Sequence, residues 1–427
     1  MKGIIIDWPG TLASIPTDWL LCDGNNSTPN MLGKYALSVG ASEDPGATGG
    51  STTHTHSSTA HGHTQNTHSH TNTSGTGGNT KTGQEGSTTV AHGGHTHTGT
   101  TSSDIATNQT NAITTDTASN DPPFHKVAPI IDNSIAGVKY PISSLILWFQ
   151  TTLPLGWSLC DGTGGIEDLR GKFLKYVNAA ENPGATGGSA THTHTPNSHT
   201  HTQNGHTHSG TSDGPSATNV CAQVSPSNSV AGSSHTHSLS AASTVAVNQN
   251  SDVTLDTVNG EPTFKKLLII KNTGVANRPK YAIVKWSGTI ANIPLGYVLC
   301  DGNNGTPNML DYFVKGATNS GELENTGGSS VHNHTASSHN HTQNSHTHTI
   351  TMGYSGEQNI AYLGSARSLI GQHIHSDFTS NAATATNQAT TITISNCSSQ
   401  ANYPPYYKVA YIMQDRDLDA GAYAILV

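Results

Sequence analysis

A histidine pair of the form His-x-His recurs through this chain in a fixed register, and few folds can use such a pattern. His54/His56 is followed at seven-residue intervals by His61/His63 and His68/His70, and further on by His95/His97. The set returns as His192/His194, His199/His201, His206/His208 and His235/His237. It returns again as His332/His334, His339/His341, His346/His348 and His373/His375. These pairs take 24 of the 26 histidines, leaving His92 and His125 as ordinary polar residues. In a strand, residues i and i+2 share a face, so both imidazoles of a pair reach one point beside the chain. Two nitrogens make a weak site, whereas three such strands around a threefold axis supply six. Structural zinc prefers four ligands, usually with sulfur. Six nitrogens in an octahedron better suit Fe(II), Co(II) or Ni(II), and availability rather than intrinsic affinity selects iron. The pairs therefore read as metal ligands inside a β-structured fibre. A loose His-rich metal buffer needs no register, and the threefold recurrence of one spacing argues against it. Seven is odd, so a flat strand would turn successive pairs to opposite sides, and a winding strand or a bulge must re-aim them. The fourth pair, on a return leg, is expected to fill a gap between the outgoing sites.

The histidines sit inside a larger repeat. Trp8, Trp148 and Trp286 are spaced by 140 and 138 residues, and Cys22, Cys160 and Cys300 by 138 and 140. Each cysteine lies in the string LCDG behind a proline and an aromatic: IPTDWLLCDG, LPLGWSLCDG and IPLGYVLCDG. Glycine turns follow, ATGGS at 47–51 and 185–189 and NTGGS at 325–329, and then the histidine pairs. Each repeat closes on an apolar segment behind proline: PPFHKVAPII, EPTFKKLLII and PPYYKVAYIM. The boundaries give three modules, 1–138, 139–278 and 279–427, the last with an extra tail at 414–427. GIIIDW, SSLILWF and YAIVKW read as buried strands, and the DG and GG dipeptides as turns. The middle of each module is polar, with a weakly alternating return leg: ATNQTNAITTDT, VAVNQNSDVTLDT and ATNQATTITIS. The expected path leaves a small β collar along the His-rich leg, turns at a distal loop near 71–94, 209–234 or 350–372, and comes back to close the collar.

Composition bounds the rest. Only 33% of the residues are hydrophobic and 11% charged, too few for an ordinary globular core and too few charges for charge-driven disorder. A net charge of −9 without a basic patch argues against nucleic acid as a partner. No apolar run is long enough to span a membrane, and the stretch before Asp7 is too short for a secretory signal. The five cysteines contain no CxxC. They read as free thiols, with Cys22, Cys160 and Cys300 half-buried and Cys221 and Cys397 unassigned.

The LCDG string with TPN behind it (Thr28-Pro29-Asn30 and Thr306-Pro307-Asn308), the glycines, the serial His-x-His pairs and the closing PPYYKVAYI together resemble the phage tail collar family. That family includes the short tail fibre and the long-tail-fibre tip of T-even phages. The resemblance covers all three modules. It implies an all-β, fibrous fold with small collar domains and an elongated, intertwined β needle. It also implies octahedral iron, Fe(II), on His-x-His pairs from three chains, with Ni, Co or Zn as alternatives. It implies distal loops that meet a host cell-surface glycan or protein, other tail or fibre proteins as neighbours, and a place in the virion tail. The ligands carried over are the twelve pairs named above. The family's usual chain contributes one module to a trimer, whereas this chain holds three. The expected architecture is therefore a single-chain pseudo-threefold trimer with about four metals. The alternative is a homotrimer of the whole chain with three successive collars.

Function then reads as structural and adhesive, a fibre tip or spike. In the third distal loop, Tyr354, Tyr362 and Arg367 are candidates for sugar stacking and polar contacts. The alternative is a cellular, tail-collar-like fibril subunit without a receptor. An enzyme is not expected: no paired carboxylates recur, and Asp23, Asp161 and Asp301 read as turn residues.

Overall fold

The computed structural model describes residues 3–58, 61–63, 68–74, 84–85, 88–89, 97–101, 113–133, 139–196, 199–203, 206, 208–215, 238–241, 253–274, 278–332, 334–337, 339, 341, 346–352, 361–363, 366–368, 378–380, 393–395 and 403–415. The fold is all-β. Among the described residues the helical turns are the short Leu12–Ser14, Ile290–Asn292 and Ser320–Glu322.

The three apolar runs ahead of the tryptophans form the lead strands Ile4–Trp8, Leu145–Trp148 and Ala282–Trp286. All their residues are buried, so both faces are covered, which explains why they read as continuous apolar runs rather than alternating ones. Period-two geometry splits them between two cores. Ile4, Ile6, Trp8, Ile146, Trp148, Ala282, Val284 and Trp286 face one. Ile5, Leu145, Leu147 and Ile283 face the other, together with the three cysteines of the LCDG strings. Each lead strand pairs antiparallel with both of the others, through Asp7↔Leu145, Leu147↔Ile283 and Lys285↔Ile5, so the three close a ring.

The closing strands are Phe124–Asp132, Phe264–Asn272 and Tyr406–Gln414. Each runs antiparallel to the lead strand of its own repeat. Its first half pairs in parallel with a strand of the next repeat: Phe124↔Phe173, Phe264↔Phe313 and, closing the cycle, Tyr406↔Tyr35. The TG dipeptides of the glycine turns follow the same rule. Gly187, Gly327 and Gly49 lie opposite Phe124, Phe264 and Tyr406 of the preceding repeat. A Cβ at any of the three would fall 2.5–2.8 Å from the opposing aromatic side chain. The aromatics Tyr35, Phe124, Phe173, Phe264 and Phe313 form a third apolar cluster where these exchanges meet.

The LCDG turns behave as turns. Asp23, Asp161 and Asp301 each accept a backbone N–H from two residues on, and Gly24, Gly162 and Gly302 take positive φ of 84–89°. The cysteines differ from expectation. Cys22, Cys160 and Cys300 are 0–1% exposed rather than half-buried, because they face the inner core between the lead strands. Burial pushes all three thiols up from their ordinary pKa. Cys221 and Cys397 lie outside the described residues.

Beyond the collar the strands are short. A six-stranded antiparallel sheet interleaves the legs in the order Thr71–Thr73, His97–Thr100, Ser209–Pro215, Ser238–Ala241, Thr349–Met352, Phe378–Thr379. The first two return strands thus sit between their own outgoing strand and the outgoing strand of the next repeat, as in the collar, and Phe378–Thr379 forms the sheet edge beside its own outgoing strand. The expected distal loops shrink accordingly: residues 71–73, 209–215 and 349–352 are strand, and Gln84–Glu85 pairs with Thr88–Thr89. No described helix is long and apolar enough to cross a membrane.

Candidate metal centres

The polar legs carry almost no apolar core. Ile113, Val253 and Ala336, with Leu255 against them, form the one apolar cluster found there among the described residues. Histidines take its place. His54, His56, His192, His194, His332 and His334 converge, with ring centroids of touching pairs 4.6–5.3 Å apart and rings nearly perpendicular. The pairs whose rings do not touch are His54 and His334, His56 and His192, His194 and His332. Each ring is therefore opposite one ring and adjacent to the rest, which is the relation among the vertices of an octahedron.

The same relation recurs twice. In the second cluster the opposite pairs are His61 and His341, His63 and His199, His201 and His339. In the third they are His68 and His348, His70 and His206, His208 and His346. All eighteen of these predicted ligands are thus brought together in sixes, two from each repeat.

In the first cluster the nitrogen spacing suits six ligands better than four. In the first cluster Nε2 of His54 lies 3.1 Å from that of His192 and 3.0 Å from that of His194. His192 and His332 are 3.0 Å apart, and His56 and His332 3.1 Å. As neighbouring vertices of an octahedron, nitrogens at these distances imply a centre about 2.1–2.2 Å from each. As vertices of a tetrahedron they imply about 1.8–1.9 Å, too short for a zinc–nitrogen bond of roughly 2.0–2.1 Å. In the second cluster His199 and His339 are 3.3 Å apart.

The tautomers agree with an inward lone pair. His194 and His334 each donate Nδ1–H to a backbone carbonyl at 2.9 Å, that of Asp116 and of Asp256. A carbonyl only accepts, so in the neutral ring Nε2 carries the lone pair. Nδ1 of His54 likewise faces Oδ1 of Asn120. The inward Nε2 atoms of His54 and His194 then oppose lone pair to lone pair, an arrangement that a cation between them relieves. Nε2 of His334 and both ring nitrogens of His68 are buried without a hydrogen-bond partner. Burial first, and then the neighbouring imidazoles, lower the pKa of His54 and His339 to about 4 and of His68, His192, His199 and His332 to about 3. Neutral rings are what a metal requires. Buried groups of these histidines are thus suited to hold a metal ion.

Residues outside the His-x-His motif hold the rings. In the first and third repeats, hydroxyls on the facing leg accept backbone N–H groups of the histidines: Thr115 from His56, Thr101 from His70, Ser74 from His97 and Ser380 from His348. The return legs supply Asp116, Asp256 and Asn120 to the ring Nδ1 atoms. Sequence reasoning does not single these out, although TTDT and TLDT stand at equivalent places. Glycine replaces asparagine at position 260, where a Cβ would lie 2.6 Å from Nδ1 of His192.

Three expectations need correction. The first pairs of the first two repeats do not lie wholly on a strand: His54 ends the strand Thr53–His54 and His192 the strand Thr191–His192, with His56 and His194 outside them. The odd spacing is thereby accommodated. Of the fourth pair, His97 is the one described member, and it fills no gap between the outgoing sites. His97 lies opposite Ser74, beyond the His68/His70 pair, and is 1% exposed. Its companions His95, His235, His237, His373 and His375 lie outside the described residues, as do His92 and Tyr354. His125, expected as an ordinary polar residue, is part of the buried collar. It is 7% exposed in a closing strand, and burial lowers its pKa. Tyr362 and Arg367 are backbone register partners in the two-stranded pairing of Ala361–Leu363 with Ala366–Ser368. Compared with protein-family models, curated proteins and solved structures, the chain matches none.

Proposed function

We propose that this chain is a self-contained, metal-threaded spike. Three tandem modules, 1–138, 139–278 and 279–427, close around one pseudo-threefold axis, and octahedral six-histidine sites run along the intertwined legs. The observation that carries this reading is the adjacency of the rings: each six-histidine cluster takes two rings from every repeat of one chain and arranges them as an octahedron's vertices. The cyclic exchange of closing strands supports it, because the third repeat returns its strand to the first. Fe(II) is the preferred ion, with Ni, Co or Zn as alternatives, and the fourth set of pairs adds a further site.

In this reading the protein is a phage-type tail-fibre tip or spike of a virion tail, attached to other tail proteins, and it presents three unlike distal loops to a host glycan or surface protein. No reaction is assigned to it. Screening the metal-loaded protein against bacterial cells and envelope glycans tests the adhesive role. Binding to a surface component, lost in Y362A/R367A with metal content unchanged, is the expected result. Self-assembly into fibrils without binding to any envelope component would favour a fibril subunit instead.

A further inference from the structure

The three lead strands differ at one inner position. The residue before the tryptophan is Asp7 in the first, Leu147 in the second and Lys285 in the third. Asp7 and Lys285 form an ion pair whose side chains are 1% and 5% exposed. A second ring of equivalent positions lies where each repeat meets the next. Asp121 of the first repeat pairs with Lys175 of the second, and Glu261 of the second with Lys315 of the third. At the third junction both partners change together: Tyr403 replaces the acid, Leu37 replaces the lysine, and both join the aromatic cluster.

We propose that these positions make the collar surfaces of the modules partner-specific, so that each accepts one kind of neighbouring module, in one cyclic order, and rejects a copy of itself. The inference rests on the single-chain reading above. A collar built from three copies of the first module would gather three buried Asp7 carboxylates and set each Asp121 against Leu37. One built from the third would gather three Lys285 ammonium groups. Reversing the cyclic order would leave Glu261 against Leu37. Buried like charges and unpaired charges are strongly disfavoured, and fixing register is the best-attested use of a buried ion pair. The pattern therefore works against collars that join equivalent modules of different chains or reverse their order, misassemblies that tandem equivalent modules invite.

The test is refolding of the full chain from denaturant at high concentration with metal present, read by native mass. Wild type and the charge-swapped D7K/K285D should return as monomers. D7L/K285L creates a uniform leucine triad that any module can join, and its multimer fraction should rise roughly tenfold. D7K alone, which sets two lysines together, should lose the monomer that the swap restores. If D7L/K285L returned as monomeric as wild type, or if D7K and D7K/K285D behaved alike, the proposal would be overturned. A wild-type chain that is itself a trimer would instead overturn the single-chain reading.

Discussion

If the six-histidine clusters hold metal as proposed, a strong chelator at neutral pH should unravel the His-rich legs and leave the collar standing. The collar has three apolar clusters, including all five tryptophans as core or packed residues. Among the described residues the legs have one small apolar cluster and eighteen histidines gathered in sixes. Without a cation, the first cluster opposes imidazole lone pairs of His54 and His194 at 3.0 Å, away from water. A structural metal site contributes about 10–16 kcal/mol in small metal-dependent folds. Loss of even one such term rivals the roughly 5–15 kcal/mol that holds a whole domain. Far-UV circular dichroism should fall and protease should cut within the legs, while tryptophan emission stays native. H199A/H201A leaves four nitrogens in the middle cluster, so metal content should drop by one ion and the adjoining legs should become protease-sensitive. A stripped protein with unchanged leg protection would show that packing, not metal, orders the legs.

Acid should separate the same two regions. An unfolded histidine takes up a proton near pH 6.5, whereas His54 and His339 resist until about 4 and His68, His192, His199 and His332 until about 3. Between those limits the unfolded legs bind more protons than the folded ones, so folding stability is full above about pH 6.5 and falls as pH drops through the window. Metal binding shifts the balance in the same direction, since only neutral imidazole coordinates. The collar carboxylates behave differently. Hydrogen bonds from Lys408 to Glu43 and from Lys126 to Glu181 lower those pKa values, so their contribution persists until the pH falls below the ordinary glutamate value. Titration from pH 7 downward should therefore release metal and leg structure first, with tryptophan emission changing only at lower pH. One coincident transition in all three signals would contradict a metal-held leg on an independently packed collar.

Much of this was legible because histidine pairs, LCDG strings and glycine turns repeat at nearly constant spacing. The apolar lead and closing runs likewise announced buried strands. Partner choice was not legible. A closing strand packs on the next repeat as well as on its own, and equivalent repeats look alike until Asp7, Leu147 and Lys285 are seen on one inner face. The location of His97 was also hidden, since spacing along a return leg does not fix its register against Ser74. Burial of Cys22, Cys160 and Cys300 follows from a ring of lead strands that no single repeat contains.

The most direct measurement is native mass with metal analysis on protein purified without a His-affinity column. The single-chain spike predicts a 44.4 kDa species carrying one ion for each six-histidine cluster, and one more if the fourth set closes. A species three times heavier, or a folded protein without metal, would contradict it.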